Sequence, residues 1–567
     1  MKTVIVGGVA GGATAAARLR RLDERAEIVV LERSGYVSYA NCGLPYYIGD
    51  VIKDRSKLTL QTPESFRRRF RIDVRVRHEV RSIDRVAKAV FVRNLETGEE
   101  YRESYDKLIL SPGAHAVVPD YPGVDGARVF TLRTVEDTFA IRDYLDGHEA
   151  RRAAVIGGGF IGLEMAENLC ERGVEVHVFQ RSGHVMPIID ADMAAFLHNR
   201  MRSNGIVLHL NAKILGFAEA DGRTLVQTAD EEPMPVDMVM LSIGVAPETG
   251  LARDAGLELG LKGAIVVDEH MLTSDPDIYA VGDAVQVKQY VSGANAVISL
   301  AGPANKQGRI AADNICGRES VFTGSQASSV MKMFDMTIAA TGLNDRTLSG
   351  TGIAYDSVLL SPPNHATYYP GSEPMRLKLV FEQETGRVLG AQAVGGPGVD
   401  KRIDVLATAI RARMTVRDLQ ELDLAYAPPY SSAKDPVNMA GYLAANILDG
   451  LVRQVTWGEL PDPLGAHVLL DVRSAGERAR GSVPGTIHIP VDELRDRLEE
   501  LPAPEALREA GATLFVHCQS GLRSYLAYRV LSQLGYPCAN VAGGYLFYQA
   551  MKTDADARDA GVGPCGM

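Results

Sequence analysis

Residues 152–182, RAAVIGGGFIGLEMAENLCERGVEVHVFQRS, hold the pattern that decides the fold of this chain. An apolar strand leads into a glycine turn, a helix follows the turn, and a second strand ends at Gln180. Gly157, Gly159 and Gly162 fit the spacing G-x-G-x-x-G. In that motif the first glycine permits a tight turn, the second lets the backbone approach a pyrophosphate, and the third brings helix and strand together. Because the helix N-terminus also offers free N–H groups and a favourable dipole to phosphates, the stretch predicts a dinucleotide-binding unit.

The N-terminus repeats this order of elements. TVIVGGVAGGATAAARLRRL reads as a strand, a glycine turn and a helix, and AEIVVLER reads as the next strand. Gly7 and Gly12 keep the outer glycines of the motif, whereas Val9 stands where the middle glycine is usual. Glu32 lies twenty residues beyond Gly12, where a carboxylate that binds a ribose diol is expected. Two nucleotide sites in one chain suggest one flavin and one nicotinamide nucleotide.

The second motif lacks that carboxylate. Gln180 stands in its place and Arg181 follows. A neutral amide beside an arginine would tolerate the 2′-phosphate of NADPH, so the sequence leaves NADH and NADPH both open. Arg181 can equally be a solvated surface charge.

Composition narrows the class of protein and of partner. A chain of 567 residues is expected to form about three to five domains. With 60 Lys and Arg against 71 Asp and Glu, the net charge of −11 argues against general affinity for nucleic acid and favours a small-molecule partner. The sequence has no run of 18 apolar residues and begins with what reads as a buried strand, which predicts neither a membrane span nor a signal peptide. Widely spaced cysteines do not form a disulfide framework, and a reducing cytoplasm is expected.

A third segment connects the two motifs to a known family. TSDPDIYAVGDAV, residues 273–285, ends a strand at Gly282 and Asp283, and it resembles the second flavin motif of the two-dinucleotide flavoprotein reductases. LSPGA at 110–114 and LSIGVAPET at 241–249 resemble two further turns of that family. The resemblance implies that FAD and NADH or NADPH are the cofactors. It implies cofactor contacts at Gly7, Val9, Gly12, Glu32, Arg33, Asn41, Ser111, Gly113, Asp283, Ala301, Gly157, Gly159, Phe160, Ile161, Gly162, Glu164, Gln180, Arg181 and Gly244.

A lone cysteine lies in ANCGLPY, residues 40–46. The stretch from Ser38 to Tyr46 is similar to the S-[FY]-x-N-C-G-L-P-Y segment of the single-cysteine pyridine nucleotide-disulfide oxidoreductases. In that branch hydride passes from nicotinamide to flavin, an electron pair passes to the cysteine sulfur, and the substrate supplies the second sulfur. The resemblance therefore implies that Cys42 is the redox-active thiol. A cysteine at the start of a helix near an oxidised flavin is expected to have a pKa below its usual value.

Two groups of enzymes share this cysteine. NADH oxidases and peroxidases cycle it through sulfenic acid and usually carry a histidine in the first glycine turn, where this chain has Ala10. Coenzyme A-disulfide reductases cycle it through a mixed disulfide with CoA. The missing histidine favours the second group, and an oxidase or peroxidase stays the alternative. The resemblance implies CoA contacts at Thr14, Arg18, Arg21, Ser38, Asn41, Lys306 and Lys434, although the arginines at 18, 20 and 21 can also form a solvated helix face.

Two further segments resemble those that bring tyrosines to the same sulfur. NHATYYPG and LAYAPPYSSAKD imply catalytic roles for Tyr368 and Tyr426, with their neighbours Tyr369 and Tyr430 not excluded. A phenol there would donate a proton or a hydrogen bond to the departing thiolate. In this family the segment that corresponds to residues 326–450 forms a homodimer and completes the active site of the partner.

A second cysteine loop lies near the C-terminus. HCQSGLRS, residues 517–524, follows a predicted strand, and its C-x-x-G-x-R spacing resembles the sulfur-binding loop of rhodanese domains. Backbone N–H groups of such a loop point at the Cys518 sulfur and stabilise a thiolate or a persulfide, and Arg523 would add positive charge. A cysteine phosphatase loop, the competing interpretation, has one more residue between the cysteine and the arginine.

These observations predict an α/β chain that resembles a coenzyme A-disulfide reductase fused to a rhodanese domain, without a metal. Its expected function is the NAD(P)H-dependent reduction of CoA persulfide, polysulfide or CoA disulfide through Cys42. The rhodanese Cys518 either delivers sulfur or only binds and senses persulfide. The predicted parts are two Rossmann-like domains, for FAD (1–113 and 240–325) and NAD(P)H (114–239), an α+β dimerisation domain (326–450), a linker (451–463), an α/β rhodanese domain (464–555) and a flexible tail (556–567).

Overall fold

The computed structural model of the protein describes residues 1–559. Its residues divide into two compact units. The first consists of Met1–Val185 and Leu208–Ala327, and the second consists of Met186–Val207 and the described residues from Ser328 onward. Within residues 1–559, no helix combines the length and the apolar composition needed to cross a bilayer. The same range contains no group of acidic, histidine and cysteine side chains able to hold a metal ion.

The N-terminal parallel sheet of the first unit contains five strands, and its inner strands are almost wholly apolar and buried. Such strands are typical of parallel sheets covered on both faces. The first glycine turn joins its central strand to the helix Ala10–Leu22. In spatial order the strands are Ile278–Ala280, Lys107–Leu110, Lys2–Val6, Glu27–Glu32 and Asp73–Val76.

The second parallel sheet of this unit is built around the second glycine motif. The motif connects the central strand to the helix Phe160–Glu171. The strand Met238–Leu241 belongs to this sheet, and the domain boundary predicted between residues 239 and 240 lies within it. In spatial order the strands are Val207–Leu210, Glu175–Gln180, Arg152–Ile156, Met238–Leu241 and Val129–Phe130.

Smaller sheets and helices complete the first unit. The remaining strands are His78–Asp84, Ala89–Asn94, Glu100–Ser104, Ala114–Ala116, Ile214–Ala220, Arg223–Thr228, Met234–Val236, Val245–Pro247, Ile265–Val266, Val285–Lys288 and Asn295–Ala296. The remaining α-helices are Leu44–Ile48, Pro63–Phe70, Val135–Gly147, Gly250–Asp254 and Ala301–Ile315. The 3₁₀ helices are Asn41–Gly43, Arg55–Leu58, Leu261–Gly263 and Gly282–Ala284.

The second unit contains a five-stranded antiparallel sheet. Residues 186–207 lie in this unit, not in the nicotinamide domain predicted for 114–239, because the helix Ala191–Ser203 packs on this sheet and on the last helix. The strands in spatial order are Ser329–Met333, Met336–Gly342, Val388–Gly395, Arg376–Glu382 and Tyr355–Leu360. The helices are Ala191–Ser203, Asp345–Leu348, Val399–Arg411, Val416–Gln420 and Pro436–Leu448.

The C-terminal part of this unit contains a five-stranded parallel sheet. The strand Gln454–Val455 forms one edge by pairing with Cys538–Val541, so part of the predicted linker 451–463 belongs to this sheet. Trp457 Nε1 also donates a hydrogen bond to the Gly544 carbonyl at 2.8 Å. The strands in order are Gln454–Val455, Cys538–Val541, Leu514–His517, Val468–Asp471 and Ile487–His488. The helices are Trp457–Glu459, Ala475–Ala479, Leu494–Asp496, Leu498–Glu500, Pro504–Glu509, Leu522–Gln533 and Gly544–Asp559.

The last helix extends past the boundary predicted at residue 555. It runs to Asp559, so the first residues of the predicted tail 556–567 are helical. The buried His198 imidazole and the Arg202 guanidinium both contact the Asp554 carboxylate, which ties this helix to Ala191–Ser203. Residues 560–567, including Cys565, lie outside the described residues.

Candidate active site

The first glycine turn leaves no room for side chains at its outer positions. Gly7 has a φ of +93°, and a Cβ placed there would lie 2.1 Å from the Ser111 carbonyl oxygen. A Cβ on Gly12 would lie 1.9 Å from the Gly7 carbonyl oxygen. Val9, at the usual middle glycine, is the residue before the helix and makes no side-chain cap. The N–H groups of the first helical turn are therefore left for a ligand, although the middle glycine is absent.

A buried carboxylate lies at the end of the strand beside this turn. Glu32 Oε2 accepts a hydrogen bond from Gly8 N at 2.8 Å, and Oε1 accepts one from Ser34 N at 2.9 Å. Burial raises the pKa of Glu32, and these hydrogen bonds oppose the rise. A carboxyl group held at this place fits the ribose end of a dinucleotide.

Asp283 lies on the short helix Gly282–Ala284, directly after a strand of the same sheet. Its carboxylate pairs with the Arg133 guanidinium at 2.7 Å, and Gly282 N donates to Gln307 Oε1 at 2.7 Å. The N-terminal turn and this short helix lie at the carboxyl ends of parallel strands, where α/β sheets bind their ligands. These residues fit an FAD molecule.

The second glycine turn repeats this geometry. A Cβ on Gly162 would lie 2.0 Å from the Gly157 carbonyl oxygen, so helix and strand need a glycine at this contact. Around Gly159, in contrast, no atom among the described residues lies within 4 Å of a Cβ position. The helix Phe160–Glu171 begins next to this open space without a side-chain cap. The turn therefore fits a pyrophosphate, as the motif predicted.

Gln180 ends the strand beside the second glycine turn, as Glu32 ends the strand beside the first. Its Oε1 accepts a hydrogen bond from Gly158 N at 2.9 Å. Its Nε2 donates to Ser182 Oγ at 2.6 Å and to the His184 carbonyl at 3.3 Å. The second site thus has the same backbone contact as the first but presents an amide in place of a carboxylate.

Cys42 lies on the 3₁₀ turn Asn41–Gly43, and its side chain is exposed. Neighbouring atoms nevertheless desolvate the thiolate and raise the pKa of Cys42, and the Glu164 carboxyl group raises it further, whereas Arg133 lowers it. The groups of the protein itself therefore raise this pKa, and the lowering expected from the sequence depends on the oxidised flavin. The exposed thiol forms no disulfide.

Glu164 is the main charged neighbour of Cys42. Burial raises the pKa of Glu164 to about 7, and the Tyr46 hydroxyl donates a long hydrogen bond of 3.5 Å to its Oε1. Its carboxyl group is therefore protonated in part of the molecules at neutral pH. Glu164 lies on the helix that follows the second glycine turn, so an element of the nicotinamide motif influences the charge of the cysteine.

We expect Glu164→Gln to lower the pKa of the Cys42 thiol, because the ionised carboxylate repels the thiolate. The repulsion is present above about pH 7, where Glu164 is charged. The test measures the pH dependence of Cys42 alkylation by iodoacetamide, with peptide mapping to separate the other thiols. Glu171→Gln, an exposed change at the end of the same helix, serves as the control. An unchanged or higher midpoint in Glu164→Gln would count against this coupling.

The predicted CoA residues of the first unit lie mainly on two packed helices. Thr14 Oγ1 donates to Asn305 Oδ1 at 2.7 Å, beside the exposed Lys306. Arg18 forms an ion pair with Asp313 at 2.7 Å. Ser38 and Asn41 are half-buried beside Cys42, and Arg21 is exposed. Arg20 differs, because its guanidinium is buried and donates to the carbonyls of Asp23, Glu24, Phe70 and Arg71, so it has a structural role.

The two predicted tyrosines of the second unit meet each other. The hydroxyl groups of Tyr368 and Tyr426 lie 2.7 Å apart, and this hydrogen bond raises the pKa of Tyr426. The rings are 73% and 46% exposed, and Tyr369 and Tyr430 are exposed as well. Four exposed tyrosines close together are typical of a surface that a partner covers.

A buried arginine that the sequence did not reveal holds both tyrosine segments. Arg402 is 1% exposed and pairs with Asp435 at 2.9 Å. The same guanidinium donates to the Asn364 carbonyl and to Ser431 Oγ. Asn364 is the first residue of the first tyrosine segment, and Ser431 lies within the second, directly after Tyr430. Arg402 lies on an amphipathic helix, where a charged residue on the inner face is the signal that would have identified it.

The C-terminal cysteine loop holds its sulfur as expected. Cys518 is fully buried, Gly521 N lies 3.1 Å from its Sγ, and Ser524 Oγ lies 3.5 Å from it. Arg523, however, donates both terminal nitrogens to Glu477 at 2.6 and 2.7 Å. This ion pair lowers the pKa of Glu477 to about 2. Arg523 also interacts with the Cys518 sulfur, so it divides its charge between that sulfur and Glu477. Glu477 was visible in the sequence only as part of a helix cap with Ser474.

Family models match the chain in three places. The pyridine nucleotide-disulphide oxidoreductase model matches residues 1–308. The chain belongs to this family. The dimerisation-domain model of the same family matches residues 328–436, and the rhodanese-like domain matches residues 456–551. The resemblance and the fold class drawn from the sequence are thus confirmed.

Similar proteins agree with this assignment. The coenzyme A disulfide reductase of Staphylococcus haemolyticus is 38% identical over 79% of this chain and 100% of its own length. The reduced CoADR-RHD of Bacillus anthracis is 48% identical, with a TM-score of 0.94 over 98% of both chains. An NAD-dependent persulfide reductase from A. fulgidus is 38% identical, with a TM-score of 0.91 over 97% of this chain and 100% of its own.

A more distant solved structure bears on the nucleotide. It is an engineered water-forming NADPH oxidase bound to NADPH, 29% identical with a TM-score of 0.76, covering 80% of this chain and 100% of its own. It carries three consecutive substitutions, aspartate to alanine, alanine to arginine and methionine to serine. The family assignment makes this chain an oxidoreductase. Members of the family use FAD and NAD(P)H, so these cofactor predictions are confirmed, and the individual site residues remain predictions.

Proposed function

We propose that the protein reduces CoA persulfide, CoA disulfide or polysulfide with electrons from NADH or NADPH. The observation that carries this proposal is the exposed thiol of Cys42, which lies beside Glu164 of the second dinucleotide turn and forms no disulfide. A redox cysteine without a protein partner must take its second sulfur from a substrate. Two relatives, a coenzyme A disulfide reductase and an NAD-dependent persulfide reductase, support the same substrates.

When bound, FAD would carry two electrons from the nicotinamide to the Cys42 sulfur. The Cys42 thiolate attacks the CoA-bound sulfur of CoA disulfide or CoA persulfide. A mixed disulfide between Cys42 and CoA forms, and a CoA thiolate or hydrosulfide leaves. Two electrons then cleave the mixed disulfide, and two thiolates result, one on Cys42 and one on CoA. The chain contributes the nucleophile, its charged neighbour Glu164 and the groups that hold CoA.

The residues proposed for CoA are Thr14, Arg18, Arg21, Ser38, Asn41, Lys306 and Lys434. Arginine binds phosphate through parallel hydrogen bonds, which suits the phosphorylated ADP end of CoA. The exposed side chains of Arg21 and Lys306 are available for such contacts. Arg18 would have to give up its ion pair with Asp313 to bind a phosphate, so we expect it to bind CoA more weakly than Arg21 and Lys306 do.

We propose that the protein works as a homodimer in the cytoplasm. The dimerisation-domain match over residues 328–436 supports the dimer, and so do the exposed rings of Tyr368 and Tyr426. In the dimer these tyrosines would lie next to Cys42 of the partner subunit. The hydroxyl pair would then donate a proton to the leaving thiolate, and Tyr426, whose pKa is raised, stays protonated at neutral pH. The free thiols of the described residues support a reducing compartment.

The rhodanese domain is proposed to carry sulfane sulfur on Cys518 and to pass it, directly or through CoA, toward Cys42. The hydrogen bonds from Gly521 N and Ser524 Oγ support an anionic sulfur at this position. The competing proposal is a domain that binds persulfide and regulates the reductase without transferring sulfur.

Replacing Cys518 by serine separates these two roles. We expect Cys518→Ser to leave the reduction of CoA disulfide unchanged, because that reaction needs only Cys42, and to slow the reduction of polysulfide at least about tenfold, one decade being about 1.4 kcal/mol. The measurement is steady-state nucleotide oxidation with each acceptor. Cys538→Ser, a change of a buried cysteine in the same domain, is the control. If Cys518→Ser reduced both acceptors as fast as the unchanged protein does, sulfur delivery by Cys518 would be ruled out.

The alternative function is an NADH oxidase. It is supported by the 29% identity to a water-forming NADH oxidase, and Ala10 opposes it because oxidases usually carry a histidine there. The proposed function is tested by nucleotide oxidation with CoA disulfide, CoA persulfide, polysulfide and oxygen side by side. The sulfur acceptors are expected to be much faster than oxygen. Rapid consumption of NADH by oxygen alone would favour the oxidase.

A further inference from the structure

The two dinucleotide-binding units of this chain each have a second strand, and these two strands end in almost the same three residues. The first ends in Glu32, Arg33 and Ser34, and the second ends in Gln180, Arg181 and Ser182. Each triplet closes the second strand of its unit at the same place in the fold. The difference between the triplets is one carboxylate replaced by one amide. The first turn therefore serves as an internal reference for the second.

The amide keeps the backbone contact and removes the charge. Glu32 accepts a hydrogen bond from Gly8 N at 2.8 Å, and Gln180 accepts one from Gly158 N at 2.9 Å. A carboxylate at this place binds the ribose 2′-hydroxyl and repels a 2′-phosphate. Gln180 has no such charge, and its Nε2 already donates to Ser182 Oγ and to the His184 carbonyl. The second turn is therefore compatible with a 2′-phosphate.

The arginines of the two triplets also differ. The Arg33 guanidinium lies 3.6 Å from the Glu248 carboxylate. Arg181 is exposed, and no residue of the described range forms a hydrogen bond or an ion pair with its side chain. An arginine without a protein partner beside a neutral amide is available for a phosphate, which a guanidinium binds through parallel hydrogen bonds.

From these contacts we infer that the nicotinamide site selects NADPH over NADH by binding its 2′-phosphate through Arg181 and Ser182. Ser182 Oγ donates to the His184 carbonyl at 2.9 Å and can turn from it to the phosphate. The engineered oxidase bound to NADPH supports the inference, because its consecutive changes create the same order of a residue without a carboxylate, an arginine and a serine. The inference rests on the proposed function and names its electron donor.

The test measures binding before activity. The protein with FAD bound is titrated calorimetrically with 2′,5′-ADP and with 5′-AMP, two fragments that differ only in the 2′-phosphate. We expect 2′,5′-ADP to bind about 10- to 100-fold more tightly, since charged hydrogen bonds contribute on this scale. Arg181→Ala is expected to abolish that difference without weakening 5′-AMP. Gln180→Glu is expected to reverse it. Arg151→Ala, which removes an exposed arginine at the opposite end of the sheet, is the control.

The same variants are then compared by kcat/KM with NADPH and with NADH. Arg181→Ala and Gln180→Glu should lower the value for NADPH and preserve that for NADH. Equal binding of the two fragments, or an NADPH preference that survives in Arg181→Ala, would overturn the inference. Neither of these results would affect the proposed function. Failure of both nucleotides to support reduction of any sulfur acceptor would instead contradict the proposed function itself.

Discussion

Cys42→Ser is expected to abolish reduction of every sulfur acceptor, with a loss of at least about a thousandfold in kcat, or roughly 4 kcal/mol in the barrier. A serine hydroxyl cannot form the mixed disulfide with CoA. The variant should still bind FAD, because Cys42 lies on a separate 3₁₀ turn and not in the glycine turn or at Glu32. The measurement is steady-state nucleotide oxidation together with the flavin absorbance of the purified variant.

A second cysteine provides the control for this result. Cys316→Ser removes a free thiol of the same unit at the end of the helix Ala301–Ile315, and it should leave turnover unchanged. Two outcomes would count against the assignment of Cys42. One is loss of flavin in Cys42→Ser, which would make the residue structural. The other is persistent reduction of CoA disulfide, which would place the chemistry at another sulfur.

Arg402→Met is expected to destabilise the second unit by about 3–5 kcal/mol, the usual cost of leaving one member of a buried ion pair alone. The unpaired member would be Asp435, which is buried. The variant also loses the hydrogen bonds that join the Asn364 and Ser431 segments, so Tyr368 and Tyr426 lose their fixed geometry. Turnover should therefore fall together with stability. Chemical denaturation followed by circular dichroism measures the first effect.

An exposed ion pair in the same domain serves as the comparison. Arg417 pairs with Asp449 at 2.5 Å on the surface, and Arg417→Met is expected to change stability little. The double variant Arg402→Met with Asp435→Asn should recover part of the lost stability, since no buried charge is left unpaired. If Arg402→Met unfolded at the same denaturant concentration as the unchanged protein, the role assigned to this arginine would be wrong.

The parts of the fold that depend on local backbone sterics could be predicted from the sequence. The glycine spacing required a close contact of helix and strand, and the structure has it at Gly12 and Gly162. The strands read on either side of the two glycine turns are likewise present. The C-x-x-G-x-R spacing located the loop in which the backbone N–H of Gly521 points at the Cys518 sulfur.

Features that depend on distant contacts could not be predicted in this way. The helix Ala191–Ser203 follows the second dinucleotide motif in sequence but belongs to the second unit, because its buried face packs against elements far along the chain. The strand Gln454–Val455 is too short to show a pattern of its own and forms only by pairing with Cys538–Val541.

The electrostatic environment of the site also could not be predicted from the sequence. Burial and Glu164 raise the pKa of Cys42, and Glu164 lies far from Cys42 in the sequence. Glu477 forms an ion pair with Arg523, although its position indicated only a helix cap. Such charges act across separate segments, so their signs and distances follow from the folded chain alone.

The most direct test of the central claim is the site at which CoA disulfide reacts. The protein is incubated with CoA disulfide without a reductant, digested without thiols and mapped by mass spectrometry. We expect one CoA attached to Cys42, and we expect NADPH or NADH to remove it. The absence of any CoA adduct, or an adduct confined to Cys518 while Cys42 stays free, would contradict the proposed reaction.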